Sequence, residues 1–583
     1  TPQPARLKRQ NNGQKTFPRP RSDRMWLNHP KHVKSLAFLT ARPLTIASHC
    51  FLSFSLWGVS SNAALLATAV EPNATDANHS VSAPAAPTQP APTQPAPTQP
   101  APTPAAAIAP ATAGQIEPIV IGGRRELFVD RHLVEALRGA ELRLQTPRSA
   151  SVAFRFDKPW EGEVSGYVTV LHDRIDGRDL YRMYYRGRPL TGYGDNDPRA
   201  QEVTCYAESA DGLRFERPKL GLIAFGGNKD NNAILADIGH VTHNFAPFID
   251  TRPGVPADER FKAVGGSSQS GLIAYVSGDG IHFRPFREKP IITGGAFDSQ
   301  NNILWSEHEH RYVCFFRTFR NGVRWITRTT SEDFVNWTPS VDMTFGNAPN
   351  EHLYTNQTVA YFRAPHIYLG TAARFWPGRG GLTEADAAEL AIDAKTNYPG
   401  LKKDSSDAVL LSSRGGNRYD REFLESLARP GLDRRNWTAR SNYPARGIVR
   451  TGLDEMSIYI QRNYGQPTHH LERLAYRLDG ITSLHAGYQP GELETKPIVF
   501  QGRRLSLNLS TSAAGGVSVE IQDNEGRPLP GFAMADCREI NTDDLDRVVA
   551  WKGGDDVSAL AGKRVKLRFR LKDADLFSFQ FID

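Results

Sequence analysis

Cysteine is scarce in this chain. Four residues, Cys50, Cys205, Cys314 and Cys537, are scattered over 583 positions. That spacing cannot build a disulfide framework, and no C-x-x-C pair points to structural zinc. Cys205 and Cys314 fall on predicted strands and read, with Cys537, as buried thiols; Cys50 would leave with the leader. H-E-x-x-H and G-x-S-x-G are absent, and no glycine-rich loop precedes a helix, so zinc-protease, serine-hydrolase and phosphate-loop chemistry lose their usual signatures. The single H-x-H, in Glu307-His308-Glu309-His310, sits at a predicted hairpin turn and reads as a solvated turn. No metal site and no cofactor are predicted from motifs, and metal use stays open, since a propeller axis can hold a hydrated divalent cation without a local motif. Long apolar runs are lacking too: mean hydropathy is −0.45, and the run Leu44 to Trp57 is too short and polar for a membrane span.

Excess charge is also missing from most of the chain. The 70 Lys/Arg and 63 Asp/Glu give a formal +7, but residues 1–42 hold ten of the bases and one acid, and residues 43–118 hold three acids and no base. The remaining core has 60 bases and 59 acids. It offers no electrostatic footprint for nucleic acid.

What is present begins with a leader-like segment. Residues 1–24 read as an upstream extension, with Met25 as a candidate start. Lys31, Lys34 and Arg42 precede the apolar, Ser-rich run, and small residues follow, with cleavage expected near Ala63 or Ala69. That is the layout of an export signal, placing the protein in the periplasm, on the cell surface or outside the cell. Residues 70–115 are rich in Pro, Ala and Thr, with A-P-T-Q-P repeated every five residues from Ala86 to Pro104. Repeated proline favours an extended, semi-rigid spacer without a core.

Beyond the spacer, a hairpin motif recurs. It reads Ser209-Ala-Asp-Gly-Leu-Arg-Phe215, Ser277-Gly-Asp-Gly-Ile-His-Phe283 and Ser331-Glu-Asp-Phe-Val-Asn-Trp337. Degenerate copies are Ser413-Arg-Gly-Gly-Asn-Arg-Tyr419 and Asp479-Gly480. Marked by Asp211, Asp279, Asp333, Gly415 and Asp479, the gaps are 68, 54, 82 and 64 residues. Asp-Gly makes the turn, since glycine accepts φ > 0 and the aspartate bonds nearby N–H groups. Five blade-sized repeats of short strands predict a five-bladed β-propeller. The division is a 1–69 extension and signal-like segment, a 70–115 linker, a 116–490 propeller and a 491–583 accessory domain. In that last part, alternating runs such as Arg504–Ser510, Gly516–Ile521 and Arg564–Leu571 predict a small antiparallel β-sandwich. The fold class is thus all-β, with a disordered leader and linker. Blade one is expected to run Ser165–Leu171, Tyr181–Gly187, Glu202–Glu208 and then from Leu213. A helix is predicted from the N-cap Thr383, a second over Tyr419–Ala428, and Glu126–Asp130 is expected to close the ring in the last blade.

Propeller inner strands start near the axis, so polar residues there converge on one pocket. Inner strands are expected near His243, Asp298, Thr355 and Glu455. Glu163, Asp298 and Glu455 are the expected catalytic carboxylates, because glycoside hydrolysis needs two carboxyl groups across the scissile bond. Glu455 borders an apolar strand, a setting suited to acid duty; Asp298 is expected to be more exposed. His243, Asn244, His352, Tyr354, Asn356, Arg363, Arg374 and Asp407 are the expected substrate-binding groups, the arginines as bidentate donors. Trp160, Trp325 and Trp376 are candidates for stacking on sugar faces.

The hairpin Ser331-Glu-Asp-Phe-Val-Asn-Trp337 resembles the S-x-D-[FL]-x-x-W element of the five-bladed propeller glycosidases of the arabinanase, invertase and levansucrase type. From Glu126-Leu-Phe-Val-Asp130 through Tyr361-Phe-Arg-Ala-Pro-His366 to Pro528-Leu-Pro-Gly-Phe532, the layout is similar to secreted bacterial glycosyl hydrolase-like proteins, over about residues 119–583. The resemblance implies three axial carboxylates; the expected function is a secreted glycoside hydrolase acting on poly- or oligosaccharide, and a monomer is expected. In the arabinanase pattern the acids come from blades one, two and three; here blade two offers His243-Asn244 instead. The alternative is a non-catalytic carbohydrate-binding or surface-interaction propeller.

Overall fold

A computed structural model describes residues 117–188, 202–392 and 400–583. The leader, its cleavage sites, Cys50 and the Pro-rich linker lie outside the described residues.

Five separate sheets make the propeller. In blade one, Gly166–Ile175, Arg178–Gly187, Val203–Ser209 and Ala233–Ala236 pair in that order. The fourth strand is therefore not the segment after Leu213, which makes a single bridge, Glu208 to Glu216. Blade two starts at Ala246–Ile249, blade three at Asn302–Ser306 and blade four at His352–Tyr361. Blade four has three strands, and bridges from Asp420 and Ala428 to its third strand line the outer edge. The stretch 419–428 is accordingly extended, not helical: its backbone is recruited by the open edge of Ser405–Ser413. The helix Glu384–Glu389 does form, with Thr383 and Asp386 capping each other reciprocally, as a Thr N-cap and an acid three residues on should.

Each repeat of the Ser-x-Asp motif ends the third strand of its blade. The Ser209 hydroxyl donates to Asp211 at 2.9 Å and accepts from the Gly212 N–H at 3.0 Å, and Asp211 accepts from the Leu213 N–H at 2.8 Å. Ser277 and Asp279 repeat this geometry. Gly212 and Gly280 adopt φ of 74° and 76°; in the third copy Phe334 takes that conformation at 69°, its ring fully buried. Packing of that ring offsets the roughly 1 kcal/mol cost of a non-glycine residue there.

Blade five pairs Val449–Arg450, Glu455–Arg462, His470–Arg477 and, outermost, Arg148–Arg155. The ring is closed by this early strand, not by Glu126–Asp130. Glu126 and Leu127 pair instead with the C-terminal strand Arg564–Ile582.

That C-terminal sheet has ten strands. Arg504–Gln522 and Arg564–Ile582 pair in two stretches, 504–511 and 516–522, with register shifts between Asn508 and Leu509 and between Thr511 and Gly516. Alternate residues of both halves, Leu505, Leu507, Leu509, Val517, Val519 and Ile521, share one core with Phe569, Phe579 and Trp551. The sheet also takes strands from 119–144 and from Thr482–Ala486, so the expected division at 490 runs through it. Cys205, Cys314 and Cys537 are free thiols, the first two buried. No helix among the described residues is long and apolar enough to cross a membrane.

Candidate functional site

At the end of the axis where the inner strands begin, a cavity of about 190 Å³ opens. All five blades or the loops leading into them contribute: Tyr167, Arg186, His243, Asp298, Gln300, Tyr354, Gln357, Arg440, Tyr443, Gln461 and Tyr464 line it. The floor is a chain of amides. Gln357 Nε2 donates to Gln300 Oε1 at 2.7 Å, and Gln300 Nε2 donates to the Thr169 hydroxyl at 2.8 Å. One residue past the lining Ala445, the buried Arg446 donates to the carbonyls of Pro247 and Ile303 at 2.7 and 2.6 Å. Burial pulls its guanidinium down to about 10, so it remains a cation at neutral pH.

The wall is aromatic and cationic. Arg186 lies over the Tyr167 ring at 4.7 Å, and Arg324, Arg317 and Arg440 lie 4.8, 5.1 and 6.0 Å from the centre of the Tyr354 ring. Such contacts hold a guanidinium beside a π-face. Burial alone would raise the Tyr354 phenol, but Arg440, Arg317 and Arg324 outweigh it and shift it downward. Burial, with the charge of Tyr354, pushes Tyr167 up. Tyr167 donates to the backbone carbonyl of Asp298 at 3.1 Å, which fixes the loop that carries the carboxylate.

Among the described residues, Asp298 is the one carboxylate lining the cavity. Its side chain is 63% exposed and forms an ion pair with Arg317. A second carboxylate stands behind the wall. Glu202 contacts His243 Nδ1 at 2.9 Å and Arg188 at 2.9 Å. Burial would raise this carboxyl; the His243 hydrogen bond and Arg186 outweigh it and hold it down at about 2. Burial and Arg186 together lower His243, so its ring is neutral at pH 7. Glu202 then accepts the Nδ1–H, leaving the Nε2 lone pair facing Arg186 Nη1 at 3.2 Å.

The expected residues divide sharply. Asp298, His243 and Tyr354 meet in the cavity. Glu163 is half-buried, and its backbone carbonyl accepts from Gly465, next to the lining Tyr464, at 2.8 Å. His352 borders the wall, facing Arg324 at 3.3 Å. Asn244 is buried, its amide spanning Gly266 and Phe297 backbone groups. Asn356 is buried against Tyr419 and Thr358. Arg374 is held by Asp407 and Glu351 on the second strand of blade four. Arg363 faces Asp479 and Asp546, toward the C-terminal sheet.

Glu455 is not on an inner strand. The inner strand of blade five is the irregular stretch 443–450, and Glu455–Arg462 runs back beside it. Reversal puts Gln461 in the cavity and Glu455 at the opposite end, tied to Arg148, Arg473 and Thr451. Of the candidate tryptophans, Trp160 donates to Asn232 and Trp325 to the Met343 carbonyl within blades, while Trp376 lies under Arg379. Tyrosines supply the faces in the cavity. Arg186, Arg440 and Glu202 escaped the sequence reading: each sits at a strand end or in an irregular segment, where alternation gives no cue.

No family model matches the chain, and no curated protein matches it. Several solved structures show a likeness. An N-acetylgalactosamine deacetylase from F. plautii, in complex with blood group B trisaccharide, is 12% identical over 60% of this chain and 96% of its own, with a TM-score of 0.36. The Bombyx mori GH32 β-fructofuranosidase is 9% identical over 74% and 94%, with a TM-score of 0.35. A glycosyl hydrolase from Bacteroides ovatus is 12% identical over 59% and 97%, with a TM-score of 0.32. At these scores the fold rests on the five sheets themselves, and the chemistry on the cavity they enclose.

Proposed function

We propose that this protein is a carbohydrate-active propeller that binds a saccharide in its axial cavity and hydrolyses a glycosidic bond there. The observation that carries the reading is the lining itself: four tyrosines, three glutamine amides and an exposed carboxylate converge from four blades or the loops leading into them, and His243 joins them from the segment before blade two. Flat aromatic faces pack against sugar rings, and amides and guanidiniums match vicinal hydroxyls. Asp298 is the carboxylate at the reacting centre. Its partner across the bond is Glu163, beside Tyr464, or Glu202 acting through His243. The Asp298–Arg317 ion pair favours a second reading, a saccharide-binding propeller without turnover, because it engages a carboxylate oxygen that a reacting centre would use.

The test is hydrolysis by the purified full chain on aryl glycosides, arabinan, fructan, and neutral and sulfated algal glycans, with D298N, E163Q and E202Q in parallel. Sugar release abolished in folded D298N and in one of the other two establishes the enzyme and its pair. Glycan binding without release by any protein supports the second reading. The lysine- and arginine-rich, then apolar segment at 31–69 further supports export, which fractionation of cells expressing the full chain would check.

A further inference from the structure

Cations outnumber carboxylates around the cavity. Arg186 and Arg440 line it, Arg317 and Arg324 back Tyr354, and Arg446 lies beneath the floor. Against these five stand three carboxylates: Asp298, which meets Arg317, Glu202, which meets Arg188 and His243, and the half-buried Glu163 beside Tyr464. Two of the cations have no acid among their described partners. Arg324 faces His352 and the rings of Phe319, Tyr354 and Phe375. Its neighbour His352 is driven toward the neutral form by burial and by Arg324 itself, so it supplies no counter-charge. Arg446 is satisfied by two carbonyl oxygens. Neutral sugar hydroxyls need no such field. Arg440, Arg317 and Arg324 also shift the Tyr354 phenol downward although burial pushes the other way.

We infer that the saccharide this cavity accepts carries a fixed negative charge, a uronate carboxylate or a sulfate ester, seated within reach of Arg440 and beside the Tyr354 face. The inference rests on the saccharide reading and names its substrate class. A guanidinium fork suits either anion, because both present two oxygens at matching spacing. The low-dielectric tyrosine walls strengthen the attraction over its value in bulk solvent. Arg186 is pre-ordered by the Val164 carbonyl at 2.7 Å, so little side-chain entropy is lost when an anion arrives.

The experiment is calorimetric titration of the full chain with two matched pairs: oligogalacturonides against the same oligosaccharides after carboxyl reduction, and sulfated galactan oligosaccharides against their desulfated products. At least one anionic member is expected to bind about tenfold or more tighter than its neutral partner, the scale of a charge-assisted contact. Which pair shows the gap tells carboxylate from sulfate. The gap should shrink on raising salt from about 0.01 to 1 M, as the screening length falls from about 30 to 3 Å; this needs no variant. R440Q and R324Q should close most of the gap in proteins that keep the parent circular dichroism spectrum. Equal affinity for both members of both pairs overturns the inference while leaving the saccharide reading intact. Failure of all four probes and of every neutral glycan overturns both.

Discussion

Two aspartates, one at each end of the propeller, show how a chain can use the same ion pair in opposite ways. Asp479, the fifth-blade counterpart of the motif aspartates, is fully buried. It accepts from the Tyr361 hydroxyl at 2.7 Å, the Ser578 hydroxyl at 2.6 Å and Asn508 at 3.2 Å, and it meets Arg125 and Arg363. These partners come from the propeller, from the early strands and from the C-terminal sheet, so the carboxylate ties three parts of the chain together. Asp298 has Arg317 as its side-chain partner and otherwise faces the cavity. A carboxylate whose lone pairs are all claimed by its own chain is structural; one left open has capacity for a ligand.

Breaking the first aspartate should cost most in stability. D479A leaves Arg125 and Arg363 facing a buried void, and loss of one member of a buried pair costs about 3–5 kcal/mol. Urea denaturation should show a midpoint shift far beyond that of any cavity variant. A small shift would mean that the junction is held elsewhere. D298N should do the reverse, lowering turnover about 100-fold or more, the reach of a lost acid–base group, while the urea midpoint barely moves.

Acid should separate the ends further. Burial would raise Glu126, but the His366 hydrogen bond and Arg414 outweigh it and hold the carboxyl at about 2 against an ordinary 4.5. A depressed carboxyl stabilises fully above the unfolded-state value and loses that contribution as pH falls toward the folded-state value. Glu126 therefore contributes up to about 3 kcal/mol that disappears between roughly pH 5 and 2. In E126Q the pH dependence of stability over that window should flatten. The smallest effect is expected for E455Q. Its half-buried ion pairs with Arg148 and Arg473 are worth about 1 kcal/mol or less, and sugar release should be unchanged. Loss of turnover in folded E455Q would break the assignment of the two ends.

The propeller was legible because its signal is local. Ser209, Asp211 and Gly212 form a turn by bonding to each other, so the motif survives in sequence and marks every third strand. The closing strand was not, because Arg148–Arg155 is chosen by the open edge of His470–Arg477 more than 300 residues later, and Glu126–Leu127 reads equally well as a strand. Glu455 was misplaced for a related reason. The apolar run Met456–Ile460 looks like an inner strand, whereas the true one carries Pro444 and Gly447 and reads as a loop. Asp298, His243 and Tyr354 were found because each lies within a few residues of the start of an inner strand. Arg440 and Arg186 were hidden, since an arginine at a strand end has the same local pattern whether it braces a blade or faces a cavity.

The early strand that closes the ring also sets an order of assembly. Arg148–Arg155 is made before any of the blades it will complete, and Ile119–Gly122 must wait for Ile498–Phe500. At about 5–20 residues per second, these segments spend tens of seconds unpaired while the rest of the chain is synthesised. Such long-range pairing is slow, so the ring cannot close until His470–Arg477, the edge that Arg148–Arg155 joins, has been made.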